Sequence, residues 1–533
     1  MARYFLAAAL SAFALFAVSC EPSVPSEGLE KAFIVSVEVS GKKVIDAGSV
    51  KDIPADGVEI SIVFTSEFKL DKDPSASCVA FTGGNLVPRQ GEDGKTLVLT
   101  PEGKLSWGKE YKVRISSGPA FNLNLLNDFS FSFTTSYDTS DKFPRIPDEE
   151  LLTLVQKQTF RYFWDYAHPD CGMARERLGS GNTVAIGGSG FGIMTLPVAV
   201  ERGFITRDEA AERMRKILSF LGGKAERFHG AFSHWIDGSS GKAIPFSAND
   251  NGGDLVETAF LIQGLLTVAQ YFNSPGEDDI RTSINDIWRA VEWDWYTRGQ
   301  NVLYWHWSPD KGWAMNMKIV GWNEGLIVYL LAASSPTHPV APEVYHEGWA
   351  SGGTMKPGVN GPMFFAHYSF MGLDPRGLKD KYADYWEQNV AHARYNYNYC
   401  VSNPKGYAGY SADCWGLTAS DYPGGYTASA PSNDRGTIAP TAAVASYPYL
   451  PEESLRAIRH FYYVLGDRLW GEYGFYDAFN LSSTWFAPSY IAIDQGPIVV
   501  MIENARNALL WNLFMSREEI ANGLSVLGFT RQP

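Results

Sequence analysis

Three carboxylates stand close together in the segment NDNGGDLVE at residues 249–257. Asp250, Asp254 and Glu257 are spaced at i, i+4 and i+7, so on one continuous helix they would share a face and repel one another. Such crowding raises the pKa of a carboxyl group, as general acid catalysis requires. A purely structural interpretation is that Asp254 caps the following helix and that Glu257 completes a capping box. That interpretation leaves Asp250 and the flexible Asn-Gly-Gly step unexplained.

A fourth acid, Glu324, lies in the segment GWNEG at the predicted start of another helix. Asn323 is the expected N-cap, which puts Glu324 in the first turn, and Trp322 beside it is typical of a cleft wall. An acid in a first turn is also explained as a partner of the helix dipole. The dipole lowers the pKa of such a group, whereas a general acid needs a raised one. Burial against Trp322 or nearby carboxylates must therefore outweigh the dipole if Glu324 donates a proton.

A fifth acid, Asp494, precedes the last long helix of the chain. Pro497 suits the first position of that helix, which leaves Asp494 outside the cap, so capping does not explain it. Asp477 and Asp413 are further acids in loops rich in aromatic residues. Cleavage of a glycosidic bond needs two carboxyl groups, one to protonate the leaving oxygen and one to activate water or to attack. Acids at helix starts from distant parts of the chain could meet this need, but their spacing alone does not establish it.

Aromatic residues are abundant, with 16 Trp, 27 Tyr and 31 Phe. Sugars present flat C–H faces that pack on aromatic rings while their hydroxyls bind nearby polar groups, so this composition favours a carbohydrate ligand. Core packing is the stronger explanation for any one of these residues taken alone. The candidate sugar-binding side chains are Trp235, Trp305, Trp322, Asn323, Trp415 and Asp477.

The elements that must position these side chains follow two different patterns. Residues 32–136 carry short runs of alternating apolar and polar residues between Gly, Asp and Pro turns, which predicts an antiparallel β-sandwich. A linker at 137–147 follows, and residues 148–533 show mainly the helical period. The predicted strands are 33–37, 58–64, 96–99, 111–115 and 129–133. The predicted helices are 149–166, 206–221, 254–272, 279–296, 323–333, 382–397, 452–465 and 497–515.

The helical segment favours an all-α toroid over a fold of alternating strands and helices. The pattern indicates about a dozen helices, and no strands alternate with them. Long loops rich in glycine and aromatic residues separate the helices, and such loops are uncommon unless they are functional. In a toroid of paired helices these loops gather at one end, where they form the walls of a cleft.

The amino terminus is typical of an exported bacterial lipoprotein. An apolar run at residues 4–18 is too short to span a membrane comfortably, and it leads into the sequence AVSC, which resembles a lipobox. We predict a signal peptide at 1–19 and a tether at 20–31 that begins with lipidated Cys20; an ordinary secretory signal is the alternative. Glu21 stands where an aspartate can signal inner-membrane retention, so we predict an outer-membrane protein facing the periplasm or the cell surface.

Composition limits the partners of the chain. Asp and Glu number 59 and Lys and Arg 45, and the net charge of −14 argues against nucleic acid and anionic lipid surfaces as partners. The cysteines do not form a disulfide framework, although the sequence leaves a Cys400–Cys414 pair open. No CxxC or HExxH spacing occurs, so we predict neither a metal nor another cofactor.

Ordered blocks in the helical segment carry a resemblance to a known family. The blocks are QTFRYFWDYAHP, SGFGIMTLPVAVERGFI, GAFSHWID, NDNGGDLVETAFLIQGLL, GWNEGLIVYLLA, CWGLTASD, GTIAPTAA and AIDQGPIVVMIENARN. From about Asp148 to Phe514 the chain resembles the glycoamylase-like family, and more narrowly glycoside hydrolase family 144, the β-1,2-glucanases. The first segment resembles bacterial Ig-like modules. The resemblance implies an (α/α)6 barrel that hydrolyses β-1,2-glucan or its oligosaccharides with inversion at the anomeric carbon and without a metal.

The resemblance also implies which acids matter. The important acids of the family fall on Asp250, Asp254, Glu257 and Glu324. We expect Glu324 to be the general acid and Asp494 the base, with Asp477 as the second candidate for the base. We favour exo release of sophorose over endo cleavage. The alternatives are a surface lipoprotein that binds glycan without cleaving it and a hydrolase of another glucan.

Overall fold

The structure is a computed structural model of the 533-residue chain, and it describes residues 28–46, 48–70, 78–353 and 357–531. The chain forms two compact units, one ending at Asp138 and the other beginning at Thr139. The predicted signal peptide, Cys20 and most of the tether lie outside the described residues. Among the helices of the described ranges, none combines the length and the apolar character that crossing a bilayer requires.

The first unit is rich in β-strands. Its described strands are β1 Glu30–Ala32, β2 Ile34–Val39, β3 Lys42–Lys43, β4 Ser49–Ile53, β5 Ile60–Phe64, β6 Val79–Phe81, β7 Leu86–Gln90, β8 Thr96–Pro101, β9 Glu110–Ile115, β10 Gly118–Ala120, β11 Leu123–Leu125 and β12 Phe129–Thr135. They form sheets in the orders β3-β2-β5-β8-β7, β4-β12-β9-β6 and β1-β11-β10. Alternate residues of the strands point into one apolar core, to which Phe64, Leu97 and Phe133 belong. All five predicted strands are confirmed.

The predicted purely antiparallel arrangement of this unit is wrong at two strand pairs. Strand β4 runs parallel to β12, and β1 runs parallel to β11. The two members of each pair lie far apart in the sequence, so no tight hairpin fixes their relative direction. The alternating pattern of a strand reports which face is buried but not the direction of its neighbour, and the sequence therefore missed both pairs.

The second unit is helical. Its described α-helices are α1 Asp148–Trp164, α2 Ile186–Glu201, α3 Arg207–Gly223, α4 Leu255–Tyr271, α5 Asp278–Arg289, α6 Leu326–Ser334, α7 Tyr385–Ser402, α8 Pro440–Val444, α9 Pro451–Arg459, α10 Gly466–Leu469, α11 Ala492–Asn507, α12 Leu509–Met515 and α13 Glu518–Val526. Short 3-10 or π turns occur at Trp295–Thr297, Val344–Trp349, Met363–Ala366, Tyr368–Phe370, Pro431–Asn433 and His460–Val464.

Short strands lie in the loops between these helices. They are β13 Thr183–Ala185, β14 Trp235–Asp237, β15 Ala243–Ile244, β16 Gly253–Asp254, β17 His306–Trp307, β18 Leu378–Lys379, β19 Ala419–Tyr422, β20 Gly425–Ala428, β21 Trp470–Gly471, β22 Gly474–Phe475, β23 Phe479–Asn480, β24 Trp485–Phe486 and β25 Thr530–Arg531. The pair β16–β17 and the sheet β13-β14-β15 lie next to the acids described below. Cys400 and Cys414, whose pairing the sequence left open, are buried free thiols.

Helix α2 is the main element that the sequence did not predict. It is buried almost all round, so it lacks the polar face that reveals a surface helix. It also contains several glycines and Pro197, which lower helix propensity. The glycines let α2 approach α4 closely: a Cβ added at Gly264 would lie 2.2 Å from the carbonyl oxygen of Gly190. This contact holds the two helices with their N-terminal ends side by side.

The predicted helix 497–515 is wrong in its bounds. Helix α11 already begins at Ala492, and Pro497 lies inside it, where its missing N–H still falls in the first turns. The helix ends at Ala508, whose φ of 59° is left-handed, and α12 follows as a separate helix. Asp494 therefore lies in the first turn of α11 and not before the helix.

Candidate active site

A cavity of about 520 Å³ lies at the N-terminal ends of helices α2, α4 and α11. Three glutamates contribute to its wall, and aromatic rings form much of the remainder. Four of the predicted site residues line it, namely Glu257, Glu324, Trp235 and Trp305. The cavity thus combines acids with flat apolar surfaces. The other lining residues that are used below are Glu176, Arg177, His234, Phe246, Tyr368 and Tyr426.

Asp254 stands at the centre of a buried hydrogen-bond network behind this wall. Its Oδ1 accepts the backbone N–H groups of Val256 and Glu257, both at 3.0 Å, so the predicted N-cap of α4 is confirmed. Its Oδ2 lies 3.0 Å from Nδ1 of His234 and 3.1 Å from Nε2 of His306. One carboxylate therefore begins a helix and also binds two imidazoles.

The pairing of β16 with β17 brings His306 to the acids. Asp254 pairs with His306 across this two-residue ladder, and Nε2 of His306 also lies 2.9 Å from Oδ2 of Asp250. Gly252 permits the close approach, because a Cβ at this position would lie 2.2 Å from the carbonyl oxygen of Trp307 in β17. Of the Asn-Gly-Gly step, Gly253 lies in β16, and both glycines are closely packed.

The histidines carry the charge that balances the two aspartates. Burial lowers the pKa of an imidazole, but the carboxylates of Asp254 and Asp250 outweigh burial and raise the pKa of His306 to about 10. In the same way Glu257 and Asp254 raise the pKa of His234 to about 9. Burial raises the pKa of Asp254, yet the two imidazoles hold it well below its usual value. At neutral pH the network contains imidazolium and carboxylate ions.

This network also contains a set of possible metal ligands. His234, Asp250 and Asp254 each offer a ligand atom within 4.8 Å of the others. Nε2 of His306 is within hydrogen-bonding distance of both aspartates. Its imidazolium supplies between the carboxylates the positive charge that a cation would supply.

Glu257 does not complete the predicted capping box. The N–H of Asp254 donates to the carbonyl of Phe232 instead, and the Glu257 Oε2 accepts the N–H of Gly187 at 2.8 Å, at the start of α2. The carboxylate therefore joins the first turns of two neighbouring helices. Burial and the charge of Asp254 raise the pKa of Glu257 to about 7, although His234 and the Gly187 amide favour its ionised form.

The sequence predicted Glu324 in the first turn of α6, but Glu324 lies just before this helix. The helix begins at Leu326, and the Asn323 side chain accepts the N–H of Gly325 without capping the helix. Burial, with a smaller contribution from the charges of Glu257 and Asp254, raises the pKa of Glu324 to about 7. Burial thus outweighs the helix dipole, which resolves the conflict that the sequence posed.

Asp494 and Asp477 form a second pair of buried carboxyl groups, and neither lines the cavity. Burial and the neighbouring Asp477 raise the pKa of Asp494 well above its usual value, and burial with Asp421 raises the pKa of Asp477 to about 7. Burial and mutual repulsion therefore favour the neutral form of these carboxyl groups. The Tyr368 hydroxyl, which does line the cavity, donates to Oδ1 of Asp494 at 3.3 Å.

The remaining candidates from the sequence lie away from the cavity wall. Trp415 is fully buried, and its indole N–H donates to the carbonyl of Glu453, so it packs in the core. Trp322 is half-buried and its indole N–H points to His392. Asp413 lies 3.5 Å from Arg456 in an exposed ion pair. These residues and Asn323 are absent from the cavity lining.

The sequence did not assign a role to either histidine or to Glu176 and Arg177. Nε of Arg177 contacts both carboxylate oxygens of Glu176 at 3.0 Å, and its Nη1 contacts Asp421, so the guanidinium is firmly held on the cavity wall. Burial raises the pKa of Glu176. For His306, the sequence feature that could have indicated a role is the segment YWHW, in which this polar residue lies between aromatic ones.

Comparison with known proteins shows the family to which the chain is similar. The Glycoamylase family model matches residues 316–518. An exo β-1,2-glucooligosaccharide sophorohydrolase that acts at the non-reducing end, from Parabacteroides distasonis, is 47% identical over 442 residues, or 76% of this chain. The chain spans 60% of the length of that curated relative.

Two solved structures are similar over most of the helical unit or beyond. The endo-β-1,2-glucanase from Chitinophaga pinensis, solved with sophorotriose and glucose, is 51% identical with a TM-score of 0.71, and the match covers 72% of this chain and 99% of that one. A β-1,2-glucanase from Parabacteroides distasonis is 39% identical with a TM-score of 0.70, covering 95% of this chain and 74% of the other.

Replacing His306 by Gln should destabilise the protein by about 3 kcal/mol at pH 5–6, because the amide keeps a hydrogen-bond donor but removes the charge between two buried aspartates. The pKa of His306 is raised from 6.5 to about 10, so its contribution is complete below about pH 6.5 and is lost as the pH rises through 10. The lowered pKa of Asp254 makes its own contribution complete above about pH 4. Chemical denaturation at several pH values measures the difference.

The matched control for this substitution is His338→Gln, which alters a partly exposed histidine paired with Asp294. It should change the free energy of unfolding by less than about 1 kcal/mol. A loss in His306→Gln that stays constant from pH 5 to pH 10 would contradict the assigned charge.

Proposed function

The chain belongs to the glycoamylase-like family of glycoside hydrolases, and from this premise we propose that it hydrolyses β-1,2-glucooligosaccharides. The observation that carries the proposal is the pair Glu324 and Glu257. Both line one cavity, Glu257 is buried and Glu324 half-buried, and the pKa of each is raised to about 7. Two carboxyl groups of this kind meet the requirement for acid and base catalysis of glycosidic cleavage.

The surroundings of the two glutamates divide the roles between them. Burial and the charges of Glu257 and Asp254 disfavour the ionised form of Glu324, and its own backbone amide offsets them only in part. Glu324 therefore holds its proton and serves as the general acid. Glu257 has the His234 imidazolium and the Gly187 N–H to stabilise its charge, so it is the ionised partner and serves as the base. The anomeric carbon is attacked by water on the face opposite the leaving oxygen, which inverts its configuration.

This division replaces the base expected from the sequence. Asp494 does not line the cavity, and burial and the neighbouring Asp477 raise its pKa well above the usual value, which favours its neutral form and makes it the weaker candidate for the base. It supports the site through Tyr368, because it accepts a hydrogen bond from the Tyr368 hydroxyl. Asp250 and Asp254 act through the histidines, and Trp235 and Trp305 provide rings for the sugar faces.

Exo release of sophorose is the mode of cleavage that we favour. The relative from Parabacteroides distasonis, 47% identical, releases sophorose from the non-reducing end by its name. The cavity has a volume of about 520 Å³, which suits a short oligosaccharide. Endo cleavage of a long chain would instead need a long open groove. The relative from Chitinophaga pinensis is an endo-β-1,2-glucanase, so endo cleavage is the alternative outcome of the test below.

We further propose that the helical unit is an (α/α)6 toroid and the first unit an Ig-like sandwich. In support of the toroid, α2 packs between α4 and α11, α4 contacts α6, and α11 contacts α8. A hydrogen bond between His367, which lies between two 3-10 turns, and Ser446, just after α8, would help to close the ring. In support of the sandwich, the sheets of the first unit share one apolar core.

We also propose that the protein is an outer-membrane lipoprotein attached through Cys20. The support is the lipobox-like sequence AVSC after an apolar run, together with Glu21. A Cys20→Ser variant should therefore move from the membrane fraction to the soluble fraction of the cell envelope. Unchanged membrane attachment of this variant would exclude the lipid anchor.

Incubation of the purified protein with linear β-1,2-glucooligosaccharides tests the proposed activity directly. We expect sophorose as the main early product, and nuclear magnetic resonance should detect the α-anomer first because the reaction inverts the β-linkage. A panel of other linear glucans provides the control, on which turnover should be negligible. Longer oligomers as early products would indicate endo cleavage, and an absence of products from every glucan would overturn the hydrolase.

Substitution of the two glutamates tests their roles. Glu324→Gln and Glu257→Gln should each lower kcat at least about a hundredfold on oligosaccharides. On a sophoroside with a leaving group that needs no protonation, Glu324→Gln should recover most of its activity and Glu257→Gln should not. In the wild type, kcat/KM should fall as the pH rises through about 7, because Glu324 loses its proton there.

The matched controls are Glu343→Gln, which alters an exposed glutamate, and Asp494→Asn. Glu343→Gln should leave kcat unchanged, and Asp494→Asn should keep at least about a tenth of it, since protonated Asp494 acts only through Tyr368. If Asp494→Asn is as inactive as Glu257→Gln and the activated substrate restores neither, Asp494 is the base.

A further inference from the structure

A second cavity, of about 620 Å³, opens on the surface in the loop after α5. Trp295 lies in its wall with 41% of its surface exposed, and Trp313 lies opposite at a ring distance of 6.4 Å and an angle of 32°. We call this cavity, with Trp295, Trp313 and Arg298, the tryptophan cleft. A tryptophan this exposed leaves a large flat apolar face in water, which is typical of a binding surface.

The rings of the tryptophan cleft are held in fixed orientations. His229 stacks on one face of Trp295 at 3.8 Å and 15°. The guanidinium of Arg298 lies over both Tyr304 and Trp313, and it donates to the side chain of Asn316 at 2.8 Å. Rigid aromatic side chains lose little conformational entropy when a ligand binds.

Backbone strain is concentrated at the same place. His229, Arg298 and Asn316 have φ values of 51°, 55° and 45°, in the left-handed region that non-glycine residues avoid. A residue in this conformation persists only where its surroundings enforce it. The strained backbone therefore contributes to the positions of the two tryptophans in the cleft.

The polar groups of the cleft favour a neutral ligand. Asp294 lies 3.0 Å from His338, and Glu292 lies 2.9 Å from His229, so each acid already has a partner. Arg298 adds hydrogen-bond donors beside these acceptors. The wall offers both donors and acceptors around flat apolar rings without a strong excess of one charge. A chain of glucose units has these complementary properties, whereas a phosphate or a strongly charged peptide does not.

The cleft is connected to the catalytic network by one short strand. The Trp295 ring contacts Trp307 at 6.3 Å, edge to face. Trp307 follows His306 in β17, and His306 contacts Asp250 and Asp254. A segment of two residues thus separates the cleft from the acids.

We propose that the tryptophan cleft is a second glucan-binding site, which holds a distant part of a long β-1,2-glucan chain while the catalytic cavity acts on its end. The proposal rests on the proposed function for the identity of the glucan. Short oligosaccharides occupy the catalytic cavity alone, so the cleft affects only chains long enough to occupy both sites.

The Trp295→Ala variant tests this proposal. In a Glu324→Gln background, which prevents cleavage, the affinity for polymeric β-1,2-glucan should fall about tenfold with Trp295→Ala, since one aromatic contact is removed. The affinity for sophorotriose should not change. With Glu324 intact, Trp295→Ala should raise KM for the polymer and leave kcat and KM for a tetrasaccharide unchanged.

Two further variants exclude trivial effects. Trp295→Phe keeps an aromatic face and should retain most of the polymer affinity. Tyr395→Ala removes an aromatic residue of similar exposure, 42%, from α7 and should have no effect. An equal loss for the polymer and the short chain would mean that Trp295 only supports the fold, and no loss for either would mean that the cleft does not bind glucan; each result overturns the proposal.

These outcomes are separate from the test of the proposed function. If the wild type cleaves no glucan, the hydrolase proposal fails on turnover alone. The polymer affinity of the two variants still reports on the cleft, because binding is measured without cleavage.

Discussion

The site depends on one imidazolium held between two aspartates. Asp250 and Asp254 both lie within 3.1 Å of Nε2 of His306, and both are almost fully buried. Two buried carboxylates without a cation would either take up protons or force the surrounding structure open. Because Asp254 also caps α4, the charge of His306 is coupled to the point at which that helix begins. The position of Glu257, three residues later, follows from this cap.

The second constraint is the close contact of α2 with α4. A side chain at Gly187 would place its Cβ 2.5 Å from Oε2 of Glu257, so only glycine leaves the backbone N–H free to meet the carboxylate. Gly190 and Gly264 bring the two helix backbones together further along. The glycines that make α2 a poor helix in isolation are thus the residues that allow two helix ends to share one carboxylate. Helix α2 is stabilised by tertiary packing and not by propensity.

The sequence predicted those features that have a regular pattern or a local cause. Alternation identified the strands around Phe64 and Phe133, and the spacing of Asp254 before an apolar run identified the start of α4. Helix α2 escaped because it is buried all round and has no polar face. The role of His306 escaped for another reason: the β16–β17 ladder brings it to Asp254 from 52 residues away. Pro497 misled the prediction, because it is the sixth residue of α11 and not the first, and the helix continues through it.

The raised pKa values of Glu257 and Glu324 are similar, yet their causes imply different behaviour when a sugar enters the cavity. Both are raised mainly by burial, and a bound sugar removes more water and strengthens every remaining electrostatic interaction. For Glu257 this strengthens the attraction to His234 and the hydrogen bond from Gly187, but also the repulsion by Asp254 and Asp250. For Glu324, whose charged neighbours are the acids Glu257 and Asp254, it strengthens repulsion and favours the proton. The two glutamates therefore differ in their partners: Glu257 has the imidazole of His234 and the Gly187 amide, which favour its charge, whereas the charged neighbours of Glu324 are acids. Under the proposed roles, the buried network acts on the chemistry without touching the sugar, because Asp254 binds His234, whose charge favours the ionised form of Glu257.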